Sequence, residues 1–194
     1  MEARDVIRPI LVGLVAIGLV VLVIVLIVKA LVGPPSAPSS QIDVTKYVST
    51  EGASATLLID GPTNVDQDHR QVKITVSASE NEIDIMQGYQ STVIATESYP
   101  NNTASFTAFL QTLKLMNFSK GTVSSVSYQG YCPTGDRYVY TFNNGNSDLF
   151  SYWSTSCGGQ GTFEGSTAQI LGQFRRQIPQ ADFDRLTSTV SLGF

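Results

Sequence analysis

His69 is the single histidine of the chain, and it follows Asn64, Asp66 and Asp68 in one polar stretch. A Ser-His-Asp hydrolase would have to use this residue as its general base. No Gly-x-Ser-x-Gly turn accompanies it, so a solvated loop histidine is the expectation. The alternating Asn64, Asp66 and Asp68 open like a calcium loop. The sixth position of such a loop calls for glycine and holds His69; the twelfth calls for glutamate and holds Thr75. One histidine and two cysteines do not close a zinc site. Asp136, Asp148 and Glu164 are the carboxylates a glycosidase would pair; exposed turn acids are the simpler reading. Gly158-Gly159-Gln160-Gly161 lacks the Lys-Ser/Thr tail of a phosphate cradle. We therefore expect no metal, no cofactor and no catalytic residue.

The two cysteines, Cys132 and Cys157, flank a stretch centred on Asn144-Gly145. Asn-Gly favours a two-residue hairpin because both residues tolerate positive φ. Centring the turn there sets Tyr138 opposite Ser151, Tyr140 opposite Leu149 and Phe142 opposite Ser147. The same register brings Cys132 opposite Cys157. Such pairs approach to about 4.5 Å between Cα atoms, within disulfide reach. Proline and glycine near both cysteines fray strict pairing, yet the two chains leave the hairpin base side by side. The alternation puts Tyr138, Tyr140, Phe142, Leu149 and Trp153 on a core face. Arg137, Val139, Thr141, Asp148, Phe150 and Tyr152 fall on the other, partly covered by a helix over 166–178. Exposed tyrosine and arginine are typical of contact patches, so Tyr131, Arg137 and Tyr152 form the expected partner-facing patch.

The elements around the hairpin are legible from period and punctuation. Ala53 to Ile59 reads as a strand closed by Asp60-Gly61-Pro62. Val72 to Val76 and Glu82 to Met86 alternate with period two, and Ser91 to Thr96 makes a further strand. Ile42-Asp43-Val44 starts the fold as extended chain. An Asn or Thr cap precedes Phe106, Phe109, Leu110, Leu113 and Met116, spaced for one helical face. β-structure is expected over Val123 to Tyr128. Ser166 caps a second helix that Pro179 ends, and a short third helix follows near 181–188.

Ahead of these elements, Ile10 to Val28 contains nineteen residues with no charged or strongly polar side chain. A helix of that length crosses a ~30 Å hydrocarbon core. A cleaved signal peptide, with Val28 and Ala30 as the small residues before the cut, is the competing reading; the length of the apolar run and Lys29 inside that site favour the uncleaved anchor. The sequence divides into a cytoplasmic arm at 1–8, a transmembrane anchor helix at 9–32, a Pro/Ser linker at 33–40 and an extracytoplasmic domain at 41–194. Arg4 and Arg8 keep the N-terminus inside, which places the protein at the plasma membrane with its C-terminal domain outside. The lipid bilayer is then a partner through 9–32. From residue 41 onward nine basic and fourteen acidic residues remain, which argues against nucleic acid as a partner.

Gly130-Tyr131-Cys132-Pro133, Arg137-Tyr138-Val139-Tyr140 and Tyr152-Trp153-Ser154-Thr155-Ser156-Cys157-Gly158, behind a front anchor and a Pro/Ser linker, resemble small exported proteins of reduced-genome candidate-phylum bacteria. The resemblance implies a bacterial surface setting and assigns no activity. The expected class is α+β: a single transmembrane helix followed by an antiparallel-sheet domain with two or three helices and one disulfide. The expected function is a non-enzymatic binding module of the cell envelope with a protein or cell-surface partner. The alternative is a glycan-directed envelope hydrolase using the acids near the hairpin.

Overall fold

Six antiparallel strands in the order β4-β3-β2-β1-β5-β6 form one sheet. They are β1 (Ala53–Asp60), β2 (Arg70–Ser77), β3 (Glu80–Gln87), β4 (Thr92–Pro100), β5 (Arg137–Asn144) and β6 (Asp148–Thr155). The helices are α1 (Thr103–Leu115), α2 (Thr167–Arg175) and α3 (Gln180–Thr187). This is a computed structural model that describes Leu19, Leu22, residues 41–188 and Val190. All the strands and helices named belong to the second of the chain's two units, Ser40–Phe194.

The expected class needs correction at its first element. Among the described residues no helix is long and apolar enough to cross a membrane. The segment expected to span, 9–32, lies outside them apart from Leu19 and Leu22. Among the described residues the strands and longer helices make an antiparallel six-stranded sheet with α1, α2 and α3, and one disulfide.

Strand alternation builds the core. Leu57 pairs with Ile74 on one side and Tyr140 on the other; Ile59 sits between Val72 and Tyr138; Ala55 between Val76 and Phe142. All point to one face and all are buried. That face receives Phe106, Phe109, Leu110 and Leu113 of α1, Ile170 and Phe174 of α2, and Phe183 and Leu186 of α3. Phe118, just past α1, meets Tyr140, Phe150 and Phe174 edge-on or tilted. Burying a side chain of this size contributes about 1.5–3 kcal/mol, so helices and sheet hold each other. The other face carries Thr56, Leu58, Lys73, Thr75, Glu82, Val139 and Thr141, half-exposed.

The hairpin register differs from expectation. Phe142 faces Phe150, Tyr140 faces Tyr152 and Tyr138 faces Ser154. The turn has moved one residue on: Asn144 N–H donates to Ser147 O at 3.1 Å, and Gly145 carries the positive φ, 94°. Asn144 Oδ1 accepts from the N–H groups of Asn146 and Ser147, and Asn143 Oδ1 from that of Gly145. A bulge at Leu149 completes the shift. An odd slip exchanges the faces of a strand, so Phe150 and Tyr152 enter the core while Trp153 turns away from it; Leu149, in the bulge, stays half-buried against the core. α2 accordingly packs on the core face, where Thr167 meets the Tyr140 hydroxyl, and no described helix packs on the opposite face.

Two further expectations change. Val44–Tyr47 is a 3-10 turn capped by Asp43, whose carboxylate accepts from Thr45 N–H and Oγ–H. Residues 122–127 form no strand. Residues 161–163 bind the outer edge of β6 instead, with Thr162 and Phe163 N–H donating to Trp153 O. The chain from 122 to 131 therefore leaves the sheet as a strap, and Val126 O accepts from Trp153 Nε1 at 3.1 Å. β4, at the other end of the sheet, has no neighbour on its outer side among the described residues; Ile94 forms a bulge within it.

Two predictions follow from local chemistry. Lys114, with Nζ 2.8 Å from Asp43 Oδ2, and Thr45 hold the Asp43 carboxyl down from 3.8 to about 2. The depressed value means this contact stabilises above pH 3.8 and is lost as the pH falls toward about 2. Hydrogen exchange at residues 43–47 should accelerate over that window in the wild type and show no such step in Asp43→Asn. Gly172 lies inside α2, and nothing lies within 4 Å of where its Cβ would stand. Gly172→Ala should stabilise by about 0.5–1 kcal/mol in urea unfolding.

Candidate functional site

The polar core of the domain is built at one end of the face opposite the helices. Asp60 ends β1, Arg137 opens β5, and the register pairs them across the strands. Asp60 is 5%, His69 1% and Arg137 3% exposed; buried groups of this polarity persist only when paired. Asp60 Oδ2 lies 2.9 Å from Arg137 Nε, and Oδ1 lies 2.8 Å from His69 Nε2. Gln71 Nε2 donates to Oδ1 at 3.0 Å. Arg137 also donates to Gly61 O and to Thr63 Oγ1. His69 Nδ1 stands 3.2 Å from Pro62 O. Tyr128 of the strap reaches this node: burial raises its hydroxyl pKa, and the Asp60 charge adds to that.

His69 is thus no solvated loop residue. Both ring nitrogens face oxygen atoms of the fold itself, and no hydroxyl or thiol nucleophile is bonded to it. Its ring is a floor. Tyr89 stacks on it with ring centroids 4.2 Å apart and planes 14° from parallel. The Tyr89 hydroxyl donates to Asn64 O at 2.7 Å, and its N–H donates to Asp66 Oδ1 at 2.8 Å. Asp66, which looked like a metal ligand, therefore fastens a loop. Among the described residues no group of acidic, histidine or cysteine side chains is arranged to hold a metal ion.

Held this way, Tyr89 is still 51% exposed, beside Val65 at 58% and, on the same β3–β4 hairpin, Val93 at 51% and Ile94 at 50%. Apolar side chains gathered at one rigid hairpin make a candidate contact surface. The sequence reading missed it because Tyr89 lies in a turn, and 91–96 was read only as a further strand. A tyrosine following glycine at a hairpin turn was the available signal.

The patch expected at Tyr131, Arg137 and Tyr152 does not form. Arg137 is buried against Asp60. Tyr152 is 7% exposed and stacks on Phe150 in the core. Tyr131 is half-buried against Trp153, ring centroids 4.9 Å apart. The hairpin slip explains Tyr152, and the Asp60 pairing explains Arg137.

Cys132 and Cys157 are joined, with Cα atoms 5.7 Å apart. They are not a cross-strand pair. The ladder ends at Arg137 and Thr155, and a turn closed by Gly135 N–H to Cys132 O brings Cys132 back toward β6. The three carboxylates weighed for catalysis are dispersed. Asp136 is buried beside Tyr138, whose hydroxyl is raised to about 12 by burial and then by that carboxylate. Asp148 sits at the opposite end of the hairpin beside Asn143, roughly 20 Å away at a strand's rise. Glu164 is exposed and 3.5 Å from Lys120. No family model, curated protein or solved structure matches this chain.

Proposed function

We propose that this domain is a non-enzymatic binding module working outside the cytoplasm, and that it grips a protein of the cell envelope or of a neighbouring cell surface through the β3–β4 hairpin. The observation that carries the reading is the pairing of exposure with support. Tyr89 is half in solvent, yet His69, Asn64 and Asp66 fix its ring, N–H and hydroxyl. A pre-organised aromatic loses little entropy on contact, which is what makes such residues anchors. The disulfide supports an oxidising compartment. Among the described residues the acids weighed for a hydrolase are dispersed and the histidine is enclosed.

Photo-crosslinking tests this in intact cells. A photoreactive residue at Val93 should capture one discrete partner, and Tyr89→Ala should reduce capture at least tenfold. The reading fails if the adducts are diffuse, or if they persist undiminished in Tyr89→Ala that folds normally.

A further inference from the structure

A second surface, built by other residues, has the character of a small-ligand site. A groove of about 760 Å³ runs between the C-terminal end of α2, the start of α3 and the strand end at Tyr99-Pro100. Its volume lies in the range of ligand clefts. One wall is the half-exposed ring of Tyr99, fixed by its hydroxyl, which donates to Glu97 Oε2 at 2.6 Å.

The charges around the groove are paired with one exception. Arg175 holds Asp184 at 3.1 Å, and Gln180 Nε2 donates to both oxygens of the same carboxylate. Arg185 holds Glu97 and Asp182. Arg176 lines the groove, is exposed, and makes no ion pair among the described residues. A guanidinium in that position offers a two-pronged donor to a carboxylate. Asn81, Gln177 and Gln180 also line the groove, and Gln177 Nε2 donates to Gln173 O at 3.3 Å. Asn81 donates to Gln177 O at 3.1 Å and accepts from Asn101 at 3.0 Å, so it is held in place. An amide has two donor hydrogens and an acceptor oxygen, which leaves capacity for ligand hydroxyls.

Gly172 is an independent pointer. It interrupts a nine-residue helix where alanine would be favoured. No neighbouring atom requires its smallness, and it lies on the groove. A glycine in that place keeps the cleft open beside Tyr99.

We propose that this groove binds an acidic sugar, a hydroxyl-rich ring carrying one carboxylate. Arg176 takes the carboxylate, the three amides take hydroxyls, and Tyr99 supports the apolar face of the ring. An aromatic platform with a single uncompensated cation fits this class better than a phosphate, which would call for more than one free cation. The site lies at the open end of the β3–β4 hairpin, where Asn81 and Tyr99 line it, away from the turn at Tyr89, and stands whether or not that turn binds a protein.

Calorimetric titration of the purified full-length chain tests it, with glucuronate, galacturonate, N-acetylmuramate and N-acetylneuraminate as probes. Glucose, acetate and inorganic phosphate serve as controls. The expected result is saturable, salt-sensitive binding of at least one acidic sugar, weakened at least tenfold in Arg176→Ala. Gly172→Leu, which fills the cleft without removing a charge, should weaken it as much while keeping the far-ultraviolet circular dichroism of the wild type. The proposal is overturned if none of the four acidic sugars binds. It is equally overturned if acetate or phosphate binds as well as the sugars, or if both variants retain affinity.

Discussion

Asp60→Ala will destabilise the domain by about 3–5 kcal/mol, the usual cost of removing one member of a buried ionic cluster. Arg137 and His69 would be left enclosed with their counter-charge gone, and Gln71 would lose its acceptor. The sharper comparison is a triple replacement, Asp60→Leu with His69→Leu and Arg137→Met. Removing all the charges together avoids the orphaned partner, so the triple variant should lose much less than the single one. Urea unfolding decides it: the midpoint should fall in Asp60→Ala with the slope unchanged. A loss under about 1 kcal/mol for Asp60→Ala would show that the node does not hold the fold. Tyr89 gives a second readout. Its ring rests on His69, so the triple variant should loosen the hairpin while the domain stays folded.

Opening the disulfide should cost about 3–4 kcal/mol in the chain-entropy model for a closure of this length. Cys132 and Cys157 are 25 residues apart in sequence, and they tie the entry of β5 to the exit of β6. The paired variant Cys132→Ser with Cys157→Ser should match the reduced wild type in urea unfolding, and both should fall below the oxidised wild type. A difference under about 1 kcal/mol would mean that the unfolded chain gains little freedom on release.

The strands with clear alternation were legible: β1, β2 and β3 lie where period two placed them, each within two or three residues. The helices also lie near their expected places, because Phe106, Phe109, Leu110 and Leu113 repeat on one face and Asn102 caps α1 by accepting from Ser105 N–H. The β5–β6 hairpin was recognised but misregistered. Asn144-Gly145 contains the right residue types, yet Asn144 spends its side chain closing the loop, and the turn centres one residue later. That small displacement, with the bulge at Leu149, reverses which side of β6 is wet. Tyr152 was lost from the predicted patch for this reason. Arg137 and His69 were misplaced for a different one. Their partner Asp60 is distant from Arg137 in sequence and joins it only through the β1–β5 pairing, a long-range contact no local pattern encodes. The strap at 122–131 was misread because Ser, Thr and Val alternate there without a strand to pair with.

The two borders of the sheet are unequal. The β6 border is covered at Trp153 and Ser154 by residues 161–163, whereas the β4 border is unoccupied among the described residues and is kinked at Ile94. A sheet that can accept a neighbour on one border only cannot propagate. A second copy that docks its own β4 there uses up both free β4 borders, so that contact closes on a dimer and not on a fibre.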